Sequence, residues 1–422
     1  MGLLLAITIL SSFYLTPVAM RLAWKYDAVS RPDGFRKKHK RPTPEWGGLA
    51  VNASLLVGIG LSFVLLPVQS SSVPFLAALA LSVLLLCLLG CYDDLVDMRA
   101  ALKLLGQIVA VVPIVAVGAY AERFTLFGYS VELGWLGVPW TVAWIVLGIN
   151  ALNLIDGMDG LASTVGITVA ATIAVLASVT GNTHVALVAI VLAGSLAGFL
   201  AHNLPPARIY LGDCGSMVIG LLLATLALRA TPQIGSPNIT VMCGLLFIPL
   251  YDTFLAIVRR GMNGKGIMSA DRGHIHHRLL DRGLGAWGAL ALLAVLSLTA
   301  GAAAWLVVLT GHELLACAAL GTVIFLCAQL ELFGHQEWVT LRTRLGSILS
   351  QGKDTRRPVS NNRQSRSELA LRTSGKTAAR SKQLDGIPKG QTSLPIGINV
   401  RLAGAQNASA ATAGKKYVEL LG

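Results

Sequence analysis

The sequence predicts an all-α polytopic membrane protein with about 10–11 transmembrane helices, and three observations carry that prediction. Of the 422 residues, 54% are hydrophobic and only 13% charged, at a mean hydropathy of +0.66; this is too apolar for a domain surrounded by water. The apolar residues fall in uninterrupted runs of roughly 17–25, the length that crosses a bilayer as a helix. Lys and Arg cluster on alternate connections between those runs.

Taken in order, the runs lie near 2–20, 47–67, 74–91, 101–119, 139–155, 161–180, 185–201, 216–230, 240–258, 287–309 and 314–331. The first lacks a basic lead and a small-residue cleavage site, and a basic cluster follows it, so it is expected to be a retained span. Up to residue 286, the connections after odd-numbered runs hold seventeen Lys or Arg, from Arg21 to Arg282, while those after even-numbered runs hold only Arg123 and Arg229. That bias puts the N-terminus outside and the odd-numbered connections and the C-terminal tail in the cytoplasm. The six cysteines sit within spans or at their expected cytoplasmic ends and suggest neither a disulfide nor a metal motif.

Two parts follow from this pattern: a multi-span domain over 1–331 and a tail over 332–422. The tail carries fifteen Lys or Arg against five Asp or Glu, a composition expected to stay disordered and to lie near anionic lipid. Its start spaces Trp338, Leu341, Leu345 and Ile348 as an interfacial amphipathic helix would.

Five polar clusters interrupt the apolar pattern, and the predicted topology places all of them on the cytoplasmic face. The first, "DAVSRPDGFRKKHKRPTPEWGG" (27–48), is a basic loop that reads either as a topology signal or as a catcher of phosphate. In the second, "YDDLVD" (92–97), a continuing helix would stack Asp93 and Asp97 on one face beside Asp94, which is unfavourable without a cation. The third, "NALNLIDGMDGLAS" (150–163), sets Asn153 and Asp156 on one face at a helix C-terminus, where a carboxylate again calls for a cation. Asp159 there reads equally as an N-cap of the next helix. The fourth, "AHNLPPARIYLGDCGSM" (201–217), offers Asn203 and Arg208 as donors and Asp213 as a cap or a metal ligand. The fifth, "RRGMNGKGIMSADRGHIHHRLLDRG" (259–283), holds six basic residues, Arg272 among them, with His274, His276 and His277. Outside the clusters, Asp252 lies within the ninth run, where a carboxylate is a functional candidate or a hydrogen-bond partner of a neighbouring helix.

Hard oxygen donors suit Mg²⁺, or Mn²⁺ in its place, more than Zn²⁺. Such donors beside Arg, Lys and His form a phosphoryl-transfer kit. At a membrane surface that kit suits a water-soluble nucleotide donor and a lipid-borne acceptor.

The motifs "YDDLVD", "NALNLIDGMDGLAS", "HNLPPARIYLGDCGS" and "SADRGHIHHRLL", in this order, resemble those of the polyprenyl-phosphate N-acetylhexosamine-1-phosphate transferase family, over about residues 15–310. The resemblance implies Mg²⁺-dependent transfer of a sugar 1-phosphate from a UDP-sugar to undecaprenyl or another polyprenyl phosphate, with release of UMP. It implies catalytic roles for Asp93, Asp94 and Asp213, and metal ligation by Asp213 with Asp156. Substrate contacts are implied for Lys103, Asn153, Asp156, Asn203, Arg208, Arg272, His274, His276 and His277. "HIHH" is more similar to the N-acetylglucosamine members than to the peptidoglycan translocase, so UDP-GlcNAc is the expected donor; UDP-GalNAc, a deoxy-sugar or the muramoyl-pentapeptide nucleotide are the alternatives. The expected partners are that donor, the lipid phosphate and the bilayer, not nucleic acid, and a homodimer is left open. A lipid-diphosphate hydrolase and a proton-coupled transporter are the rival classes; the second fits poorly, because transporters gather polar groups at the midplane of repeated halves.

Overall fold

The computed structural model describes residues 1–32, 41–66, 69–230, 237–264, 266, 273–332, 339–340 and 342–343. The tail, with the amphipathic helix expected from Trp338, Leu341, Leu345 and Ile348, lies outside these residues but for Leu332 and two short fragments. Arg272 lies outside them as well.

A helix stands at each of the eleven apolar runs. In chain order these are α1 (Gly2–Lys25), α2 (Gly47–Leu65), α3 (Val73–Val96), α4 (Ala100–Ala116), α5 (Gly137–Ile155), α6 (Leu161–Val179), α7 (Thr183–Asn203), α8 (Asp213–Arg229), the pair α9 (Ile239–Leu245) and α10 (Phe247–Met262), then, after the short α11 (Ile275–Asp281), α12 (Ala286–Thr310) and α13 (Glu313–Gln329). Many large apolar side chains on these helices face outward, Leu88, Val64 and Phe325 among them. A water-soluble fold would bury them; a lipid-facing surface need not. The protein is an all-α, multi-pass membrane protein.

Among the described residues, seven helices are long and apolar enough to cross a bilayer, or up to eight if a bent pair counts as one. That is fewer than the expected 10–11. The difference has physical causes. At 1.5 Å per residue, α4 and α13, with 17 residues each, reach only about 26 Å against a hydrocarbon core of about 30 Å. The ninth run is broken at Leu246, where α9 and α10 turn by 88°. Pro249 lies just past the break and has no N–H to return to Leu245, so a straight helix would lack that bond.

The eighth run becomes the centre of the protein. Every residue of α8 from Cys214 to Leu228 is buried, as expected of a helix apolar all round, and it packs against α2, α3, α5, α6 and α7. Its first turn is wedged between α2 and α3 at two glycines. A Cβ on Gly48 would lie 2.2 Å from the backbone nitrogen of Gly215, and one on Gly90 would lie 2.4 Å from Cys214 Cα. Asn52 Nδ2 then donates to the Cys214 carbonyl at 2.9 Å, and Trp144 Nε1 on α5 donates to Ala224 O at 3.0 Å.

Two small antiparallel pairings supplement the helices: β1 (Val29–Ser30) with β2 (Thr43–Pro44), and β3 (Arg123–Leu126) with β4 (Tyr129–Glu132). Glu313, buried at the start of α13, anchors the second pairing. It accepts from Gly128 N at 3.3 Å, Asn238 Nδ2 at 3.0 Å and Thr240 Oγ1 at 2.5 Å.

Candidate active site

The five polar clusters meet. Helix α3 ends as two carboxylates diverge, because adjacent helical residues point about 100° apart. Asp93 is buried and faces α4: its Oδ1 accepts the Met98 N–H at 2.7 Å and its Oδ2 pairs with Lys103 Nζ at 2.6 Å. Asp94 faces α8 and accepts the N–H groups of Asp213 at 2.8 Å and Cys214 at 3.4 Å. The predicted stack of Asp93 on Asp97 does not form. The helix stops at Val96, and Asp97 takes the left-handed conformation, φ 51°, with an exposed side chain.

Lys103 joins the second cluster to the fourth, since its ammonium also bonds Asp213 Oδ2. The other oxygen of Asp213 accepts from Asn153 Nδ2 at 2.6 Å, and the same amide reaches Ser216 Oγ at 2.9 Å. One turn deeper, Asn150 Nδ2 donates to Gln107 Oε1 at 2.7 Å. Four helices, α3, α4, α5 and α8, thus hold one network of opposite charges and amides.

Asp156 caps the end of α5 and is half-buried. Among the described residues nothing donates a hydrogen bond to it. Burial, then the negative charges of Asp213 and Asp159, push its carboxyl up to about 8.

Asp159 does not cap α6, which starts after Gly160 at φ 74° without a side-chain cap. Its Oδ2 instead accepts the Ala207 N–H at 2.9 Å, tying the third cluster to the proline loop. The capping reading is therefore corrected: the helix starts too abruptly from a left-handed glycine for Asp159 to reach its amides. Asn203 is buried between the same loops, accepting from Gly160 N at 3.1 Å and Ser163 Oγ at 3.3 Å and donating to Ile209 O at 2.9 Å. Arg208 has an exposed side chain on that loop. The first cluster joins through its last residues: Gly47 and Gly48 donate to the carbonyls of Tyr210 and Leu211 at 2.9 and 2.7 Å.

The histidine motif opens α11. His274 Nδ1 meets Asp252 Oδ2 at 2.9 Å, and the Ile275 N–H meets Asp252 Oδ1 at 3.0 Å, all buried. His276 stacks on His274 at 6.0 Å and leans on His277 at 4.2 Å. Neither ring nitrogen of His276 has a partner among the described residues; burial, then the neighbouring His277, pull its basicity down to about 3. A Cβ on Gly157 would lie 2.4 Å from His276 Nε2, so the fifth cluster touches the residue beside Asp156.

Gln107, Ser216 and the pairing of Asp252 with His274 were not anticipated. Ser216 follows Asp213 by three residues, a helical neighbour that the pattern offered as a signal. No pattern signalled a contact between residues 22 apart.

Among the described residues, no three His, Cys, Asp or Glu side chains converge tightly enough to hold a metal by themselves. The donor set still fits Mg²⁺, which binds through one or two carboxylates and completes its shell with water and substrate phosphate. Asp93 and Asp213 share one ammonium, Lys103, with Asp94 bonded to the first amides of α8, and among the described residues no cation pairs with Asp156.

Residues 76–231, which hold all of these carboxylates, match the sequence profile described as glycosyl transferase family 4. The chain is also 34% identical over 281 residues to the probable undecaprenyl-phosphate N-acetylglucosaminyl 1-phosphate transferase of Bacillus subtilis, a match covering 66% of this chain and 76% of that relative. The chain belongs to glycosyl transferase family 4. Two further relatives are similar to this chain. The decaprenyl-phosphate N-acetylglucosaminephosphotransferase of Mycobacterium leprae is 33% identical over 308 residues, covering 64% of this chain and 75% of the relative. The undecaprenyl-phosphate alpha-N-acetylglucosaminyl 1-phosphate transferase of Thermotoga maritima is 31% identical over 287 residues, covering 68% and 84%. The family resemblance drawn from the four motifs is borne out.

Proposed function

We propose that this family 4 protein transfers N-acetylglucosamine 1-phosphate from UDP-GlcNAc to undecaprenyl or another polyprenyl phosphate, releasing UMP, at the cytoplasmic face of the cell membrane. The observation that carries the reading is the joining of Asp93, Lys103, Asn153 and Asp213 from four helices into one charged network. The names of its relatives, which specify polyprenyl phosphates and N-acetylglucosamine, and the positive-inside bias support the substrates and the face.

In this reaction a phosphate oxygen of the lipid attacks the β-phosphorus of the donor, and the bond from that phosphorus to the UMP oxygen breaks. The lipid phosphate is already an anion, so the protein's task is to position two anions and offset their charge. Asp213 and Asp156 would hold Mg²⁺, which when bound supplies Lewis-acid stabilisation of phosphate oxygens. Lys103 carries the cation beside Asp213, and Asn153 keeps that carboxylate turned inward. Arg208, Arg272 and the histidines would meet the donor.

Direct attack is favoured over a phospho-aspartate intermediate by the bonding of the carboxylates. Asp93 already accepts from an ammonium and an amide, and Asp94 from two amides. An oxygen so engaged is a weak nucleophile, because charge-assisted hydrogen bonds stabilise the free carboxylate.

The test is UMP release by purified protein. It is expected to require UDP-GlcNAc, Mg²⁺ and polyprenyl phosphate together, and UDP-GlcNAc is expected to outpace UDP-GalNAc. Release without the lipid would show a hydrolase, and no release with any UDP-sugar would end the enzyme reading.

A further inference from the structure

Asp252 is a buried carboxylate that the reaction above leaves without a task. It stands 1% exposed on α10, the arm that turns away from α9 at the 88° break. Its two oxygens have separate partners, both from the histidine motif: Oδ2 faces His274 Nδ1 at 2.9 Å and Oδ1 accepts the Ile275 N–H at 3.0 Å. The second bond satisfies an amide at the first turn of α11, a helix of seven residues with no side-chain cap of its own. The first bond acts on the ring. A carboxylate only accepts, so the proton of that bond lies on His274 Nδ1, and the ring cannot turn over without losing the bond. Nε2 is then the only nitrogen left to face a ligand, and it has no partner among the described residues.

We propose that Asp252 is a positioning residue for the donor site: it holds Nδ1–H and the tilt of His274, so that Nε2 faces the diphosphate of the nucleotide sugar, to whose oxygens it donates when it too carries a proton. This deepens, and rests on, the functional reading above. The pairing follows the general pattern in which a carboxylate behind an imidazole sets which ring nitrogen does the work. The bent α9–α10 pair supplies the geometry. A straight ninth helix would carry residue 252 along its own axis, whereas the turn at Leu246 gives α10 a direction of its own, and Asp252 on it meets the start of α11.

The experiment is a double-mutant cycle of Asp252→Asn with His274→Ala, read by UDP affinity and by turnover. The Asp252→Asn change is isosteric, but it turns one oxygen into an NH₂ group, so one of the two bonds becomes a donor facing a donor. The single substitution is expected to weaken UDP binding and raise the donor KM about tenfold, with the KM for polyprenyl phosphate unchanged. In the His274→Ala background it is expected to add nothing. Equal losses with and without His274, or equal losses for donor and lipid acceptor, would overturn the positioning role and leave the reaction standing. A wild type that neither binds UDP nor releases UMP would overturn the functional reading and this inference together.

A second measurement needs no Asp252 variant. In protein labelled with ¹⁵N-histidine, the signal lost in His274→Ala is expected to show a proton on Nδ1. A bare Nδ1 would refute the proposal.

Discussion

Asp94, two residues before the end of α3, closes the N-terminus of α8 by accepting the backbone N–H of Asp213 at 2.8 Å. The link is a helix cap supplied from another helix, and it sets the height of the carboxylate at the centre of the charged network.

Asp94→Asn replaces one accepting oxygen with a donor that faces the Asp213 or Cys214 amide. The proposed transferase activity is expected to fall at least ~10²-fold, the scale of a lost transition-state charge partner. Asp213→Asn is expected to fall by as much, since it removes the partner of both Lys103 and the proposed metal. Near-normal UMP release in either variant would put the reaction elsewhere.

Lys103→Met keeps the length of the side chain and removes its charge, leaving Asp93 and Asp213 facing each other. The rate is expected to drop at least ~10²-fold, and the thermal midpoint in detergent to drop with it. Lys103→Arg is not expected to rescue, because a planar fork does not replace a point charge between two carboxylates. Full activity in Lys103→Arg would contradict that geometry.

Gly90→Val forces a branched side chain onto the backbone of α8 and is expected to cost about 1–3 kcal/mol or more, seen as loss of folded protein after extraction. Gly60→Ala on α2 meets nothing within 4 Å and is expected to be neutral or to stabilise by about 0.5–1 kcal/mol. Equal behaviour of the two would contradict the close approach at Gly90.

His276 supplies an acid limb to stability. Its folded value of about 3 lies below the ~6.5 of an unfolded histidine, so the unfolded chain takes up the proton first. The contribution is complete above about pH 6.5 and is lost as pH falls toward 3, by up to about 1.4 kcal/mol per pH unit. His276→Gln is expected to flatten that limb in denaturation midpoints measured between pH 7 and 4. An unchanged slope would mean the ring titrates freely.

How much of this was legible in the sequence depended on what each signal measures. Hydropathy found every principal helix, often within two or three residues, and Asp213 was correctly placed at the start of the eighth. Hydropathy rewards removal from water, and lipid and protein interior do that equally. It therefore read α8 as one span among many, when its neighbours are other helices on all sides. Pro249 stood in the sequence, but a single proline does not foretell an 88° turn. The Asp93 and Asp97 stack assumed that the helix continued past Val96, and the chain avoided that repulsion by ending it there. Pairings such as Asp252 with His274 depend on how α10 and α11 lie in space, which no local period encodes.

The enclosure of α8 has a consequence for the membrane around the protein. Helices that touch lipid tilt and shift when bilayer thickness changes. α8 touches the surrounding protein instead, pinned at Gly48, Gly90 and Asp94, so the depth of Asp213 is referenced to the protein's own frame. A lipid phosphate floating at the interface must come to the depth of Asp213, and differences in acyl-chain length among host membranes act on how the substrate arrives.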